Sequence, residues 1–464
     1  MCKNTKGDTN MIVYSEEKIG QQSIFVKTIL DEDGNTTSVR KVSIPLYQVE
    51  ENGFVTFILY DDHMKPNASV YQYLNFKLRE SPLTSRSKAA FALRLLFCFL
   101  SLSGYKVNRI DEKALRELLF FLRGINTNPD QYSMKTQRSN NTVNGYLSVY
   151  RSYFIYAGIH CDAIFKSHTV QTEHVFEGTP SSPERKKYDN NLKTPSYNSD
   201  TVPKYIGPSD FKKIFKTIID ANDKQSRLIV HLMYGYGLRL GEVLGLTTED
   251  IQEIRDNGKL VPVLMLRNRM SDEKYQFAKG LPHAIDPRQY ASRDYRAATQ
   301  KIIITYELYE ELIELIEEMH SEMMEKYPDN YEAGVADIVS VKDKPDTNHY
   351  VFLNRYGRVL SDQTWNNTLK KYFEAAEIPI DIDVRDNNLS HRFRHGFAMF
   401  HARFSKHPAD TLSLQKMMRH KSISSTMVYY NPTPEDEFKI KMEFQKELYD
   451  MIPELKEGMT IDDE

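Results

Sequence analysis

The spacing of apolar residues changes character along this 464-residue chain. Residues 11–60 carry short β-branched and aromatic runs, "QQSIFVKTI" (21–29) and "RKVSIPLYQV" (40–49), on either side of the turn-forming cluster "DEDGN" (31–35), a pattern that predicts strands. From about residue 68 to residue 160 the period becomes helical, in "SVYQYLNFKLRE", "SKAAFALRLLFCFLSLSGY", "DEKALRELLFFLRGI" and "NTVNGYLSVYRSYFIYAGI". Their apolar positions suit helices that face one core. The third of them opens at Asp111, a residue suited to cap a helix, and stops at Gly124. Residues 177–205, "EGTPSSPERKKYDNNLKTPSYNSDTVPKY", are dense in Pro, Ser, Asn and charge and read as a linker. Helical spacing returns in "SDFKKIFKTIIDAND" and "KQSRLIVHLMYGYGLRLGEVLGL" and is interrupted by β-like "LVPVLMLRNR" (260–269) and "KIIIT" (301–305). The pattern predicts a mainly α, α+β chain with a small β module at 1–62, a helical bundle at 66–166, a linker at 167–204 and a mixed domain at 205–464.

Charge adds what periodicity does not. The formal net charge is −3, yet residues 66–166 hold 14 Lys and Arg against 6 Asp and Glu, a local net of +8. Acid collects in "IEEMHSEMMEKYPDNYEAGVAD" (316–337) and in the final "IDDE". Such segregation suits one face that binds a polyanion, and solvated acidic segments elsewhere. The three cysteines lack metal-type spacing and are too few for a disulfide framework, so a reducing cytoplasm is expected. The start, "MCKNTKGDTN", has no signal-peptide core, and the most apolar run (89–105) contains Arg94 and falls short of a membrane span.

Four stretches after the linker can carry chemistry. "GYGLRLGEVLGL" places Arg239 among glycines with Glu242 three residues on; "LSHRFRHGFAMF" puts His391 and Arg394 on one helical face; "MMRHKSISSTMVYYN" joins His420 to the pair Tyr429 and Tyr430; "RNRMSDEKYQFAKG" is a lysine-bearing loop. Singly, each has an ordinary explanation: a surface ion pair, helix packing, or a core and a surface aromatic. His391 and His395 at i, i+4 have a zinc-like spacing, but no nearby glutamate or third ligand completes a site, so no metal is expected. Together the residues fit phosphoryl chemistry. Two planar guanidinium forks can clamp a phosphodiester and neutralise its transition state. Histidines and a lysine can move protons, and a tyrosine hydroxyl can attack phosphorus to form a covalent ester. Neither a metal ion nor a nucleotide cofactor is needed.

In the order Arg, Lys, His-x-x-Arg, His, Tyr the chain resembles the tyrosine recombinases, also called the phage integrase family. "GLRLGEVLGL" looks like its first box, "LSHRFRHGFA" its second and "MRHKSISSTMVYY" its third. The resemblance spans roughly residues 205–450, and the preceding bundle looks like the family's core-binding domain. It implies a helical core-binding domain and a mixed α/β catalytic domain with a small antiparallel sheet, closing as a C-shaped clamp on double-stranded DNA. It further implies a 3′-phosphotyrosyl intermediate with Arg239, His391, Arg394, His420 and Tyr429 catalytic, Glu242 orienting Arg239, and no cofactor. The family's nucleophile falls nine residues after the third-box histidine, which selects Tyr429 over Tyr430. Lys274, Lys279 and Lys301 compete as the hairpin lysine, and "QFAKG" resembles the Ala-Lys form of transposon-type members, favouring Lys279. Arg419 departs from the glycine usual before that histidine; contact with DNA and mere tolerance both stay open.

The implied role is integration and excision of a mobile element by a cytoplasmic, nucleoid-associated enzyme. The N-terminal module resembles arm-type DNA-binding domains, and DNA-bending proteins are possible accessory partners. In "NPTPEDEFKIKMEFQKELYDMIPEL" (431–455), Phe438, Met442, Phe444, Leu448, Met451 and Ile452 cluster toward one broad face of a predicted helix. The resemblance implies that this helix docks into a neighbouring protomer and links a homotetramer. Alternatives are a type IB topoisomerase-like activity and a non-catalytic DNA-binding regulator.

Overall fold

The structure, a computed structural model, describes the chain except residues 1–10, 21, 52–53, 126–133, 135, 171–184, 194–201, 269–277, 279, 285–288, 290–291, 335–347, 381–388 and 452–464. Two compact units divide it, with the main boundary after Pro195, inside the segment read as a linker.

In the first unit, β1 (Met11–Ile19), β2 (Gln22–Leu30) and β3 (Thr36–Val42) form an antiparallel meander, and β4 (Leu46–Glu51) pairs with β5 (Phe54–Leu59). The "DEDGN" turn forms because the Asp31 carboxylate accepts the Asp33 and Asn35 amides at 3.0 and 2.8 Å, while Gly34 takes φ +81°. The main helices are Leu83–Ser103, Glu112–Arg123 and Asn140–Ala157. Asp111 caps the second, accepting the Ala114 amide at 2.8 Å, and left-handed Gly124 ends it. The strands do not stand apart from these helices. Tyr14, Phe25, Val42 and Phe57 bury in the same cluster as Leu93, Leu96, Phe99 and Phe121, and the Phe25 and Phe121 rings meet edge-on at 5.1 Å. Fully buried Arg86 ties strand to helix by donating to the carbonyls of Val55 (2.7 Å) and Leu74 (3.2 Å). A short hairpin, β6 (Ser167–Val170) with β7 (Arg185–Tyr188), follows the bundle within the expected linker.

In the second unit, helices Pro208–Asp220, Lys224–Gly235, Tyr306–Lys326, Asp362–Ala375 and Leu389–Met399 enclose a core of Leu228, Leu232, Val243, Leu312, Trp365, Leu369 and Phe393. An antiparallel sheet in the order β10–β9–β8 lies beside them: β8 (Ile251–Asp256), β9 (Lys259–Leu266) and β10 (Gln300–Ile303). The two β-like stretches correspond to β9 and β10. The apolar pattern does not announce β8, although Asn257-Gly258, with φ +48° and +81°, is the turn that pairs it with β9. Helix Pro434–Met451 closes the described chain, with Phe438, Met442, Phe444 and Met451 exposed; Ile452 lies outside the described residues.

Candidate active site

The site grows from three backbone features of the second unit. The first is the turn at Gly237, which takes φ +61° and packs so closely that a Cβ there would lie 2.6 Å from the Phe397 ring. It delivers Arg239 to the N-cap of the short helix Leu240–Leu244. Glu242 reaches back, accepting the Arg239 amide at 2.8 Å on Oε2 and its guanidinium at 2.6 Å on Oε1. The same Oε2 accepts Arg419 Nη2 at 2.7 Å. Burial pushes the Glu242 carboxyl toward its neutral form, but Arg419 and Arg239 outweigh that and hold its pKa below the ordinary value. One buried carboxylate therefore positions two arginines.

The second feature is helix Leu389–Met399, anchored where Trp365 Nε1 donates to Ser390 Oγ at 3.0 Å. Its Leu389, Phe393 and Phe397 are buried, while His391 is exposed. Arg394 is buried and donates to the carbonyls of Gly237 and Met418. Burial, then neighbouring Arg239, lowers its guanidinium pKa to about 9, which leaves it charged at neutral pH.

The third is the segment after helix Thr411–Met418. Arg419 ends that helix in the left-handed region (φ 54°, ψ 42°), a place where glycine costs nothing and arginine is strained. Besides Glu242, its guanidinium donates to the Gly237 carbonyl at 3.1 Å. His420 Nδ1 lies 2.9 Å from Thr426 Oγ1, and burial followed by Arg394 lowers its pKa to about 4. The adjacent tyrosines part company here. Tyr429 is 2 % exposed, its hydroxyl 2.8 Å from His395 Nδ1 and its ring nearly parallel to that of His420 at 6.3 Å. Burial raises its pKa to about 12, against the pull of Arg394 and Arg239. The Tyr430 hydroxyl instead donates to the Ala409 carbonyl at 2.5 Å. Arg403, in the π-helical turn Phe400–Phe404, fixes the backbone around the pair: it donates to the Tyr429 carbonyl at 3.1 Å, to that of Asn431, and to the Asp436 carboxylate.

Of the residues picked from the sequence, Arg239, Arg394, His420 and Tyr429 interact in this cluster, Glu242 bridges Arg239 to Arg419, and His391 sits one helical turn from His395, ring centroids 6.3 Å apart. Lys274 and Lys279 lie outside the described residues. Asn268 holds the backbone beside the latter, bonding to Ala278 N (2.8 Å), Ala278 O and Leu281 O (both 2.9 Å). Lys301 is on β10, lining a cavity of about 610 Å³ with Lys416 and Arg419. Sequence reasoning weighed His395 only as a zinc ligand and gave Arg403 no part. Among the described residues no group of three or more His, Cys, Asp or Glu is placed to hold a metal ion.

Residues 296–436 match the model of the phage integrase family. The matched region holds His391, Arg394, His420 and Tyr429, and begins after Arg239. Transposase A from transposon Tn554 of Staphylococcus aureus is 29% identical over 212 residues, 44% of this chain and 56% of the relative, so the chain spans about half the length of the curated relatives it matches. Among solved structures, the Tn1549 transposon integrase in complex with transposon right end DNA is similar at 16% identity and TM-score 0.45, covering 81% of this chain and 99% of that one. XerA recombinase is similar at 13% identity and TM-score 0.32, with 82% and 98% covered. A lambda integrase tetramer bound to a Holliday junction aligns at 14% identity and TM-score 0.31, with 82% and 94% covered.

Proposed function

We propose that this protein is a site-specific DNA recombinase of a mobile element, cutting and rejoining strands through a 3′-phosphotyrosyl bond to Tyr429. The observation that carries the reading is the buried Tyr429 hydroxyl, 2.8 Å from His395 and under the electrostatic influence of Arg394 and Arg239. In this mechanism Arg239 and Arg394 bind the scissile phosphate and stabilise the charge of the pentacoordinate state. His391 and His420 donate to its oxygens, and Lys279 protonates the leaving 5′ oxygen. Glu242 keeps Arg239 oriented. The basic helical bundle grips the duplex through its phosphates, and β1–β5 serve as an arm-type DNA contact. The transposase likeness supports a transposon-type role, and the exposed apolar side chains of helix Pro434–Met451 support assembly through that helix into a tetramer. DNA-bending proteins would be accessory partners.

The test is covalent trapping on a nicked suicide substrate in excess EDTA. Wild type and Tyr430→Phe form a protein–DNA adduct; Tyr429→Phe forms none. An adduct from Tyr429→Phe, or cleavage that requires magnesium, contradicts the reading. Plasmid relaxation by a monomer without synapsis would favour the topoisomerase-like alternative, and binding without any adduct the regulator.

A further inference from the structure

We propose that His395 is the base that takes the phenolic proton of Tyr429 as that oxygen attacks phosphorus. The inference rests on the recombinase reading above and adds a reacting residue to it. A tyrosine hydroxyl is a poor nucleophile until its proton leaves, and Tyr429 is worse placed than most, because burial raises its pKa to about 12. Among the described residues, the group within hydrogen-bond reach of the hydroxyl is His395 Nδ1, at 2.8 Å; the same ring lies 5.9 Å from the tyrosine ring, centroid to centroid. In the tautomer carrying its proton on Nε2, Nδ1 accepts the Tyr429 O–H.

The groups facing His395 are His391 and Arg394 from its own helix and His420 and Tyr429 from the segment after Arg419. Burial, then His391, Arg394 and His420, lower its pKa to about 3, so the imidazole is neutral at pH 7 and its Nδ1 lone pair can accept the hydrogen bond, but it is a weak base until substrate binds. The phosphodiester brings negative charge among the same cations and strengthens the acceptor on arrival. The step balances. The Tyr429 O–H bond breaks with its proton passing to Nδ1, the Oη–P bond forms, the P–O5′ bond breaks, and O5′ leaves with a proton from a separate acid. Rejoining reverses each transfer. Because the ester oxygen of the adduct is not basic, Oη–P bond formation itself drives the proton off, and a free phenolate need not form.

His395→Gln tests this, since an amide can accept the hydrogen bond but cannot carry the proton away. Single-turnover cleavage is followed from pH 6 to pH 9 on a suicide substrate, made with an ordinary phosphodiester or with sulfur as the 5′ bridging atom. Sulfur leaves without a proton, so it rescues loss of an acid but not loss of a base. At pH 7 the variant is expected to cleave roughly 10²-fold more slowly than wild type on both substrates. The deficit shrinks with rising pH as hydroxide takes over deprotonation. Wild-type rates from His395→Gln, a deficit independent of pH, or full rescue by sulfur would each overturn the proposal. Retained binding to an uncut site shows that the variant is folded; if it does not bind, His395→Ala with added imidazole replaces it, recovery of cleavage supporting the proposal and no recovery overturning it. The recombinase reading fails separately, if wild type makes no adduct or Tyr429→Phe makes one.

Discussion

Arg419 is the residue at which backbone and site make opposite demands. A non-glycine residue in the left-handed region costs about 1–2 kcal/mol, while its charged hydrogen bonds to Glu242 and Gly237 are of a kind worth about 1.5–3 kcal/mol. Arg419→Ala loses the bonds and keeps the strain; Arg419→Gly loses the bonds and sheds it. We therefore expect the glycine variant to be more stable than the alanine variant by about 1 kcal/mol in denaturant titrations, with cleavage slowed about equally in both, because Glu242 then orients Arg239 without its second partner. A glycine variant no more stable than the alanine one would contradict the strain; undiminished cleavage would contradict the positioning role. That Arg239, Arg394, His420 and Tyr429 come together was legible because the chemistry proposed for them calls for those residue types at fixed intervals. The partners of Arg419 were not, because Glu242 lies 177 positions away and nothing local announces the contact. His395 was overlooked for a related reason: its neighbour Arg394 accounts for the motif, and only the fold brings Tyr429 to it.

At the scale of elements, the site depends on how tightly the Gly237 turn presses on helix Leu389–Met399. That turn supplies the carbonyl shared by Arg394 and Arg419, in a conformation and a space that exclude a side chain. Gly237→Ala is expected to lower thermal stability by more than 1 kcal/mol and to slow cleavage, with the loss larger than for Gly258→Ala, a left-handed position with open space around it. Equal effects at both positions would show that φ alone, and not the contact with Phe397, governs the turn. Helical stretches and the Asp111–Gly124 boundaries were readable because caps and 3.6-residue spacing are local. β8 escaped because its six residues alternate too briefly, with only Ile251 buried, which leaves the Asn257-Gly258 turn as its local hairpin signal.

For the whole molecule, the N-terminal strands share one core with the bundle helices. Removing residues 1–62 would strip Tyr14, Phe25, Val42 and Phe57 from the cluster that holds the bundle helices, so an arm-type role for the strands is better probed by neutralising Arg40 and Lys41, exposed on β3. The other end is separable. Thr433 and Asp436 cap helix Pro434–Met451 and Arg403 clasps Asp436, so a chain ending at Asp436 keeps the Arg403 contacts that hold the Tyr429 backbone. Deleting residues from Glu437 onward should leave cleavage at a single site intact and abolish tetrameric complexes with full-site DNA in analytical ultracentrifugation. Tetramers from the shortened chain would rule out assembly through this helix.

The central claim is that Tyr429, and not its neighbour, becomes joined to DNA. Digestion of the trapped adduct with nuclease and protease, followed by tandem mass spectrometry, reads the attachment directly. The account predicts a peptide spanning the tyrosine pair with a 3′-linked nucleotide on Tyr429. A nucleotide on Tyr430 or on any other side chain, or one linked through its 5′ phosphate, would contradict it.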